Sequence, residues 1–261
     1  MEELGLDRPA FFFPINLSYQ DDGGARLEEM GNPYPTVFDS NLAAASAARG
    51  AGLVDEQGGR WRLTDKGRAF ATRFRNETAA YFATLEPIAR GDLARLAALL
   101  GEALASIERS DVPKDHLRRL PRYRGDGKSA MGALDDAVMG LWQARDDCHM
   151  ASWRAAGFSG PVFDVLTRVW RREAATESEL ATKLPGQRPA DISSALAMLR
   201  RDGLVNEHML ETTERGSSVR QKIEDETDRR FFAPWPDRVG RDAAWIRDRL
   251  AAVNAALAPA A

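Results

Sequence analysis

The chain has 261 residues, a length that accommodates one large or two ordinary domains. Hydrophobic residues make up 44% and charged residues 29%, which excludes a disordered or fibrous chain and supplies apolar material for packed cores. A formal net charge of −3 speaks against a protein that grips nucleic acid without specificity, and the single cysteine, Cys148, excludes an internal disulfide and a cysteine-cluster zinc site.

The N-terminal Met1-Glu2-Glu3 is acidic, and the nearby apolar run Phe11-Phe12-Phe13-Pro14-Ile15 is short and lacks a basic flank. Neither a signal peptide nor a membrane span is expected, and a reducing, cytoplasmic setting is the simplest expectation. Pro14 is expected to interrupt an opening helix. A proline-containing turn, Gly31-Asn32-Pro33-Tyr34-Pro35, precedes an alanine-rich helix over Thr36 to Arg49.

The clearest local signal follows. Gly52-Leu53-Val54-Asp55-Glu56, then Gly58-Gly59, then Arg60-Trp61-Arg62-Leu63 reads as a β-hairpin with a glycine turn. Thr64 is a good N-cap for the long helical pattern after it. A helix ending at Gly-Leu-Val, a hairpin and a capped helix together read as a winged helix. Asp92, Leu96, Leu100, Leu104 and Ile107 then mark one face of a further helix.

Asp111 to Lys128 is charged and contains proline and glycine, so it reads as an exposed loop or short helical segment. Ala130 to Ala156 is a strong helix. Pro161 opens the next, to about Arg172. Thr176-Glu177-Ser178-Glu179 is a capping box for a short helix to Leu184. After a turn at Pro185-Gly186-Gln187, Pro189 starts a helix that carries Ile192, Leu196 and Leu199 inward and ends at Gly203. A wing is expected over Leu204 to Thr212, then a long helix to about Phe232 stopped by Pro234 and Pro236, and a last helix over Arg241 to Leu257.

These patterns repeat. Gly203-Leu204-Val205 follows Gly52-Leu53-Val54 at an offset of 151, and Thr213-Glu214-Arg215-Gly216 follows Thr64-Asp65-Lys66-Gly67 at 149. A wing shortened by two residues accounts for the change, since hairpin tips tolerate such differences. Phe11 to Tyr19 aligns with Val162 to Trp170, and Asp92, Leu96 and Leu100 align with Asp242, Ile246 and Leu250. The expected fold is therefore mainly α with small β-wings. It comprises two tandem winged-helix domains related by pseudo-two-fold symmetry and joined by a helical connector. The expected boundaries are 1–110, 111–160 and 161–261.

The unit order resembles the MarR-like winged helix-turn-helix regulators, on Gly52-Leu53-Val54 with Leu63 to Arg68 and on Gly203-Leu204-Val205 with Thr213 to Gly216. Such regulators usually act as dimers, so the resemblance implies a fused dimer in one chain, as a monomeric pseudo-dimer or a homodimer. The C-terminal half also resembles a bacterial helix-turn-helix family whose function is not established, on Arg145-Asp146-Asp147-Cys148-His149 and on Glu226-Thr227-Asp228 followed by Pro234-Trp235.

In a working winged helix the third helix enters the major groove, the wing approaches the backbone, and Lys and Arg on phosphates supply affinity. The candidates are Ser40, Asn41, Arg60 and Arg62 in the first unit and Arg188, Ser193, Ser194 and Arg200 in the second. Arg200 and Arg201 read equally as solvated helix-end charges that suit the helix dipole. The second wing carries acidic Glu207 and Glu211.

Trp142, Asp146, His149 and Trp153 recur at spacings of 4, 3 and 4 on one helix face, bordered by Arg145 and Cys148. Asp146 could orient His149 as a carboxylate–imidazole pair. The stripe reads as a helix packed between domains, or as a pocket for a small aromatic ligand formed by Trp142, Arg145, Asp146, His149 and Trp153. Metal and catalytic readings have less support: no second histidine pair, phosphate loop or nucleophile motif accompanies the stripe, and no cofactor is expected. The leading expectation is a DNA-binding, transcriptional-regulator-like protein bound to double-stranded DNA, in which a ligand between the units changes their separation. One alternative is a winged helix that has given up DNA for ligand or protein binding. A weaker one is an enzyme using Asp146 and His149, which requires an open cleft at that pair.

Overall fold

A computed structural model of the chain describes residues 5–20, 24–30, 38–119 and 129–258. Among them the protein is mainly helical, with one two-stranded antiparallel sheet. The order is α1 (Arg8–Leu17), α2 (Leu27–Met30), α3 (Phe38–Gly50), β1 (Val54–Gln57), β2 (Arg60–Leu63), α4 (Asp65–Thr84), α5 (Arg90–Arg109), α6 (Asp115–Arg119) and α7 (Ala130–Ala155). Then come α8 (Gly160–Trp170), α9 (Glu177–Lys183), α10 (Pro189–Arg201), α11 (Glu214–Phe232), α12 (Asp237–Arg241) and α13 (Ala243–Leu257). The turn at Gly31 to Pro35, and Thr36 at the head of the alanine-rich helix, lie outside the described residues.

The chain divides into two compact units. One comprises the described residues within 1–30, 40–147 and 231–261, and the other those within 31–39 and 148–230. This differs from the sequence division at 110 and 160. The reason lies in the first unit, where α5 packs against α12 and α13, so the C-terminal helices join the N-terminal body.

In that unit Asp7 caps α1 by accepting the Ala10 N–H at 2.9 Å. Pro14 does not interrupt this helix but lies within it, buried. One backbone hydrogen bond is lost there, offset by burial of Ala10, Phe13, Ile15 and Leu17. The alanines of α3 turn Ala44, Ala45 and Ala48 into the same core. The hairpin pairs Val54 with Leu63 and Gln57 with Arg60, and its turn places Gly58 and Gly59 at φ of 60° and 75°, a conformation that glycine adopts without steric cost. Ala25 extends the sheet by one bridge, exchanging hydrogen bonds of 3.0 and 2.8 Å with Trp61.

Of the α5 face expected from sequence, Leu96, Leu100, Leu104 and Ile107 are buried, Asp92 is only half-buried, and Leu93 joins the core beside it. Its pairing with the C-terminal helices is reciprocal: Asp92 meets Arg249 at 3.1 Å, and Asp242 meets Arg95 at 3.0 Å. Arg95 also lies over the Trp245 ring at 4.3 Å. The expected last helix over Arg241 to Leu257 is α13, which starts at Ala243, and the short helix α12 precedes it, ending at Arg241.

The second unit holds the three helices α8, α9 and α10 around Val165, Leu166, Leu180, Ile192, Leu196 and Leu199. Thr176 caps α9 by accepting from the Glu179 N–H at 3.2 Å, while Glu179 reaches back to the Ala175 N–H at 2.8 Å. The expected second wing is reduced. Between Leu204 and Thr212 a single antiparallel bridge, Val205 with Thr212, closes the loop, together with the Asn206 N–H to Glu211 carbonyl bond at 2.8 Å.

The same turn occurs in both units. Gly52 and Gly203 have φ of 73° and 66°. The N–H of Leu53 bonds the Ala48 carbonyl at 3.0 Å, and that of Leu204 the Leu199 carbonyl at 2.8 Å. Thr64 donates to the Gly52 carbonyl and Thr213 to the Gly203 carbonyl, each at 2.7 Å. Each threonine also accepts from the glycine three residues on, Gly67 or Gly216, at 3.0 Å.

Candidate nucleic-acid interface

Helices α8, α9 and α10 form a helix-turn-helix with a third helix whose inner face is spent on the core. Ile192, Ala195, Leu196 and Leu199 are buried, which leaves Ala190, Ser193, Ser194, Ala197, Met198 and Arg201 outward. Apart from Met198 and Arg201 this face is small, so a backbone could approach it closely. Ser194 donates to the Ala190 carbonyl at 2.8 Å, which keeps its side chain folded onto the helix. Ser193 donates to Glu177 of α9 and to the Pro189 carbonyl, so its hydroxyl serves the junction between the two helices.

The cations around α10 are differently committed. Arg188 is exposed at the helix entry and paired with Asp191 at 2.7 Å. That carboxylate raises the guanidinium's pKa above its usual value and is itself lowered in return. Arg200 turns back toward the wing and donates to the Asn206 carbonyl at 3.3 Å. Arg201 is exposed and pairs with Asp202 at 3.0 Å. Sequence patterns favoured Arg200, but the helix phase turns Arg201 to solvent.

In the first unit Asn41 is half-buried and lines a cleft of about 310 Å³ with Phe12 and Asn16 of α1. The side chain of Ser40, in the same helix, lies outside the described residues. Arg60 donates to the Gly24 carbonyl at 2.5 Å, and Arg62 to the Gln57 side chain at 3.0 Å. Arg62 also lines a cleft of about 450 Å³ beside the hairpin, with Arg68 and Arg75 of α4 and the hydroxyls of Ser18 and Thr72. Arg75 lies over the Tyr19 ring at 5.5 Å. The two α4 arginines escaped the sequence reading. Their spacing of seven, which sets them on one helix face, is the signal that could have found them.

The tryptophan stripe of α7 is divided between environments. Trp142 is 60% exposed, whereas Trp153 is 3% exposed and stacks on Phe163 with centroids 6.0 Å apart. Asp146 is half-buried, and burial pushes its carboxyl up to about 6, against the opposing pull of Arg145. The buried aspartate is its neighbour, Asp147, which accepts the N–H groups of His116 and Leu117 at 2.8 and 3.0 Å and so caps α6. His149 is 9% exposed, with Nδ1 at 3.0 Å from the Thr227 hydroxyl and 3.7 Å from Glu224, and its ring meets the Phe163 edge.

Glu224 in turn pairs with Arg220, which is 1% exposed, donates to Thr167 at 3.1 Å and lies over the rings of Phe163 and Trp170. Arg220 is thus the hub of a buried polar cluster that sequence reasoning missed, because an arginine in a polar helix gives no sign of burial. The clefts of about 450, 490 and 310 Å³ are lined by none of Trp142, Arg145, Asp146, His149 and Trp153.

Among the described residues no group of three or more His, Cys, Asp or Glu side chains is placed to hold a metal ion, and no helix is long and apolar enough to cross a membrane. Neither curated proteins nor solved structures give a match to the chain. A family model described as a helix-turn-helix family matches residues 126–261, just over half of the sequence and the part that contains α8, α9 and α10. With its three-helix core and this match together, the chain belongs to that helix-turn-helix family.

Proposed function

We propose that the protein is a DNA-binding regulator in which α10 reads the major groove. The observation that carries this reading is the outward face of α10. Small side chains at Ala190, Ser194 and Ala197 permit close approach, and Arg188 and Arg201 flank them at the two ends of the helix. A third helix of this kind enters the groove, while flanking guanidinium groups contact phosphates. The repeated turn at Gly52 and Gly203 supports reading the chain as two related winged units, with the arginines around the first hairpin as further phosphate ligands.

The test is a fluorescence-anisotropy titration with duplex DNA between about 50 and 200 mM salt. The reading requires saturable binding at low salt that weakens steeply as salt rises. Replacing Arg201 by Gln should lower the slope of log affinity against log salt by about 1. A slope unchanged by that substitution removes Arg201 from the interface.

A second reading, a winged helix that binds a ligand or protein in place of DNA, is favoured by a specific observation. Arg188 and Arg201 each already pair with a neighbouring carboxylate, and the second wing exposes Glu207 and Glu211. Absence of binding at the lowest salt, where electrostatic attraction is strongest, selects this alternative.

A further inference from the structure

A cleft of about 490 Å³ opens in the second unit, between the turn that joins α7 to α8 and the meeting point of α10 with α11. Its volume lies in the range of small-molecule sites. The floor is Leu199 and Leu204, both buried, and the walls are the half-buried Phe158, Val162 and Val219. Met198 stands at the rim, 43% exposed.

The polar groups are few and unequal. Asp202 is held by Arg201 at 3.0 Å, which neutralises it. Ser159 begins α8 without spending its side chain on a cap hydrogen bond. Arg215 has no ion-pair or hydrogen-bond partner among the described residues, and its Nη1 stands beside Gly203, 4.0 Å from where a Cβ there would lie. An apolar trough thus carries one uncommitted cation and one uncommitted hydroxyl.

We infer that this cleft binds a small organic carboxylic acid, its apolar body on Leu199, Leu204 and Val219 and its carboxylate on Arg215. A neutral apolar molecule would leave the guanidinium unused, and a phosphate would gain nothing from the trough. Planar carboxylate recognition by a guanidinium fits this donor set. The occupant touches Met198 and Asp202 at the end of α10, so its presence is sensed by the helix assigned to DNA, although the site itself stands without that assignment.

The test uses the full chain without DNA. 2-Naphthoate and its neutral counterpart 2-naphthalenemethanol are titrated into the isotope-labelled protein and into Arg215→Gln, an exposed substitution whose fold is checked by circular dichroism. The expected result is saturable naphthoate binding that shifts the amides of Phe158, Val162, Leu199 and Val219. Arg215→Gln should weaken naphthoate about tenfold and leave the alcohol unchanged. No saturation up to millimolar naphthoate, shifts that cluster elsewhere, or an equal effect of the substitution on both probes overturns the inference. Because DNA is absent, failure here does not count against the nucleic-acid reading, and failure of that reading does not count against this site.

Discussion

Gly67 lies so close beneath Leu53 that a Cβ built on it would meet the Leu53 carbonyl oxygen at 1.8 Å. Gly216 stands in the same relation to Leu204, at 1.9 Å. In both units, then, the first turn of the long helix is pressed onto the backbone that leaves the preceding helix. Neither carbonyl can withdraw, because each accepts the N–H of its capping threonine, Thr64 at 3.1 Å and Thr213 at 3.0 Å. Gly67→Ala and Gly216→Ala should each cost about 3 kcal/mol or more. Gly101→Ala, in the interior of α5 with open space around the new methyl, should instead stabilise by about 0.5–1 kcal/mol. Urea unfolding of the three variants checks the contrast, and equal effects would remove the close approach as its cause.

The capping threonines of the two turns have equivalent bonds, so their loss should have equivalent consequences. Thr64→Ala and Thr213→Ala are each expected to lose about 1 kcal/mol, and the corresponding serine variants much less, since the hydroxyl carries both bonds. Thermal unfolding of the four variants decides it. A serine that is as costly as alanine would mean that the methyl group, not the hydroxyl, matters.

Arg220 couples the aromatic core of the second unit to its polar cluster. Arg220→Ala removes the buried guanidinium that pairs with the half-buried Glu224 and packs on Phe163 and Trp170, and should destabilise by about 3–5 kcal/mol. Arg220→Met combined with Glu224→Gln keeps the stem packed on Phe163 and Trp170, removes both charges, and should recover most of that loss. Denaturant midpoints measure both, and a double variant no better than Arg220→Ala would show that the charge pair is not what stabilises the site.

Burial raises the Asp146 carboxyl to about 6, well above the ordinary carboxylate value of 3.8. The folded state therefore binds more protons than the unfolded state between about pH 4 and 6, and stability falls as pH rises through that window. Asp146→Asn should remove this dependence. It should raise stability at pH 7.5 by no more than about 1–2 kcal/mol, solvent screening of a half-exposed group reducing the full value, with little change at pH 4. Urea titrations at the two pH values check the sign, and a gain confined to acid would contradict it.

Local chemistry was readable along the chain, and long-range packing was not. Thr64, Thr176 and the glycines at 52, 58, 59 and 203 announce turns and caps within a few residues of themselves, and each turn formed as read. Ala25 joins the sheet through a single bridge to Trp61, with no periodicity to reveal it. The attachment of α12 and α13 to α5 spans 147 residues between Arg95 and Asp242; the repeat aligned these two segments with each other but did not by itself bring them into contact. In the candidate interface, Arg188 and Ser194 stand outward as expected, whereas Asn41 faces a cleft on α1 and Arg200 turns to its own wing. The α7 stripe shows why one face of a helix is not one site. From Trp142 to Trp153 the helix rises roughly 16 Å, enough for its ends to have unrelated neighbours. Adjacent Asp146 and Asp147 lie about 100° apart around it, so composition alone could not say which one is buried.

The measurement that bears most directly on the account is DNA binding by a variant of α10 whose core is untouched. Ser194→Glu with Ala197→Glu places two carboxylates on the outward face and leaves Ile192, Leu196 and Leu199 in place. In fluorescence anisotropy at about 50 mM salt, the unmodified chain should bind duplex DNA saturably. The variant, folded by circular dichroism, should lose that binding through like-charge repulsion with the phosphates. Equal binding by the two proteins, or no binding by the unmodified chain, would contradict the assignment of α10 as the reading helix.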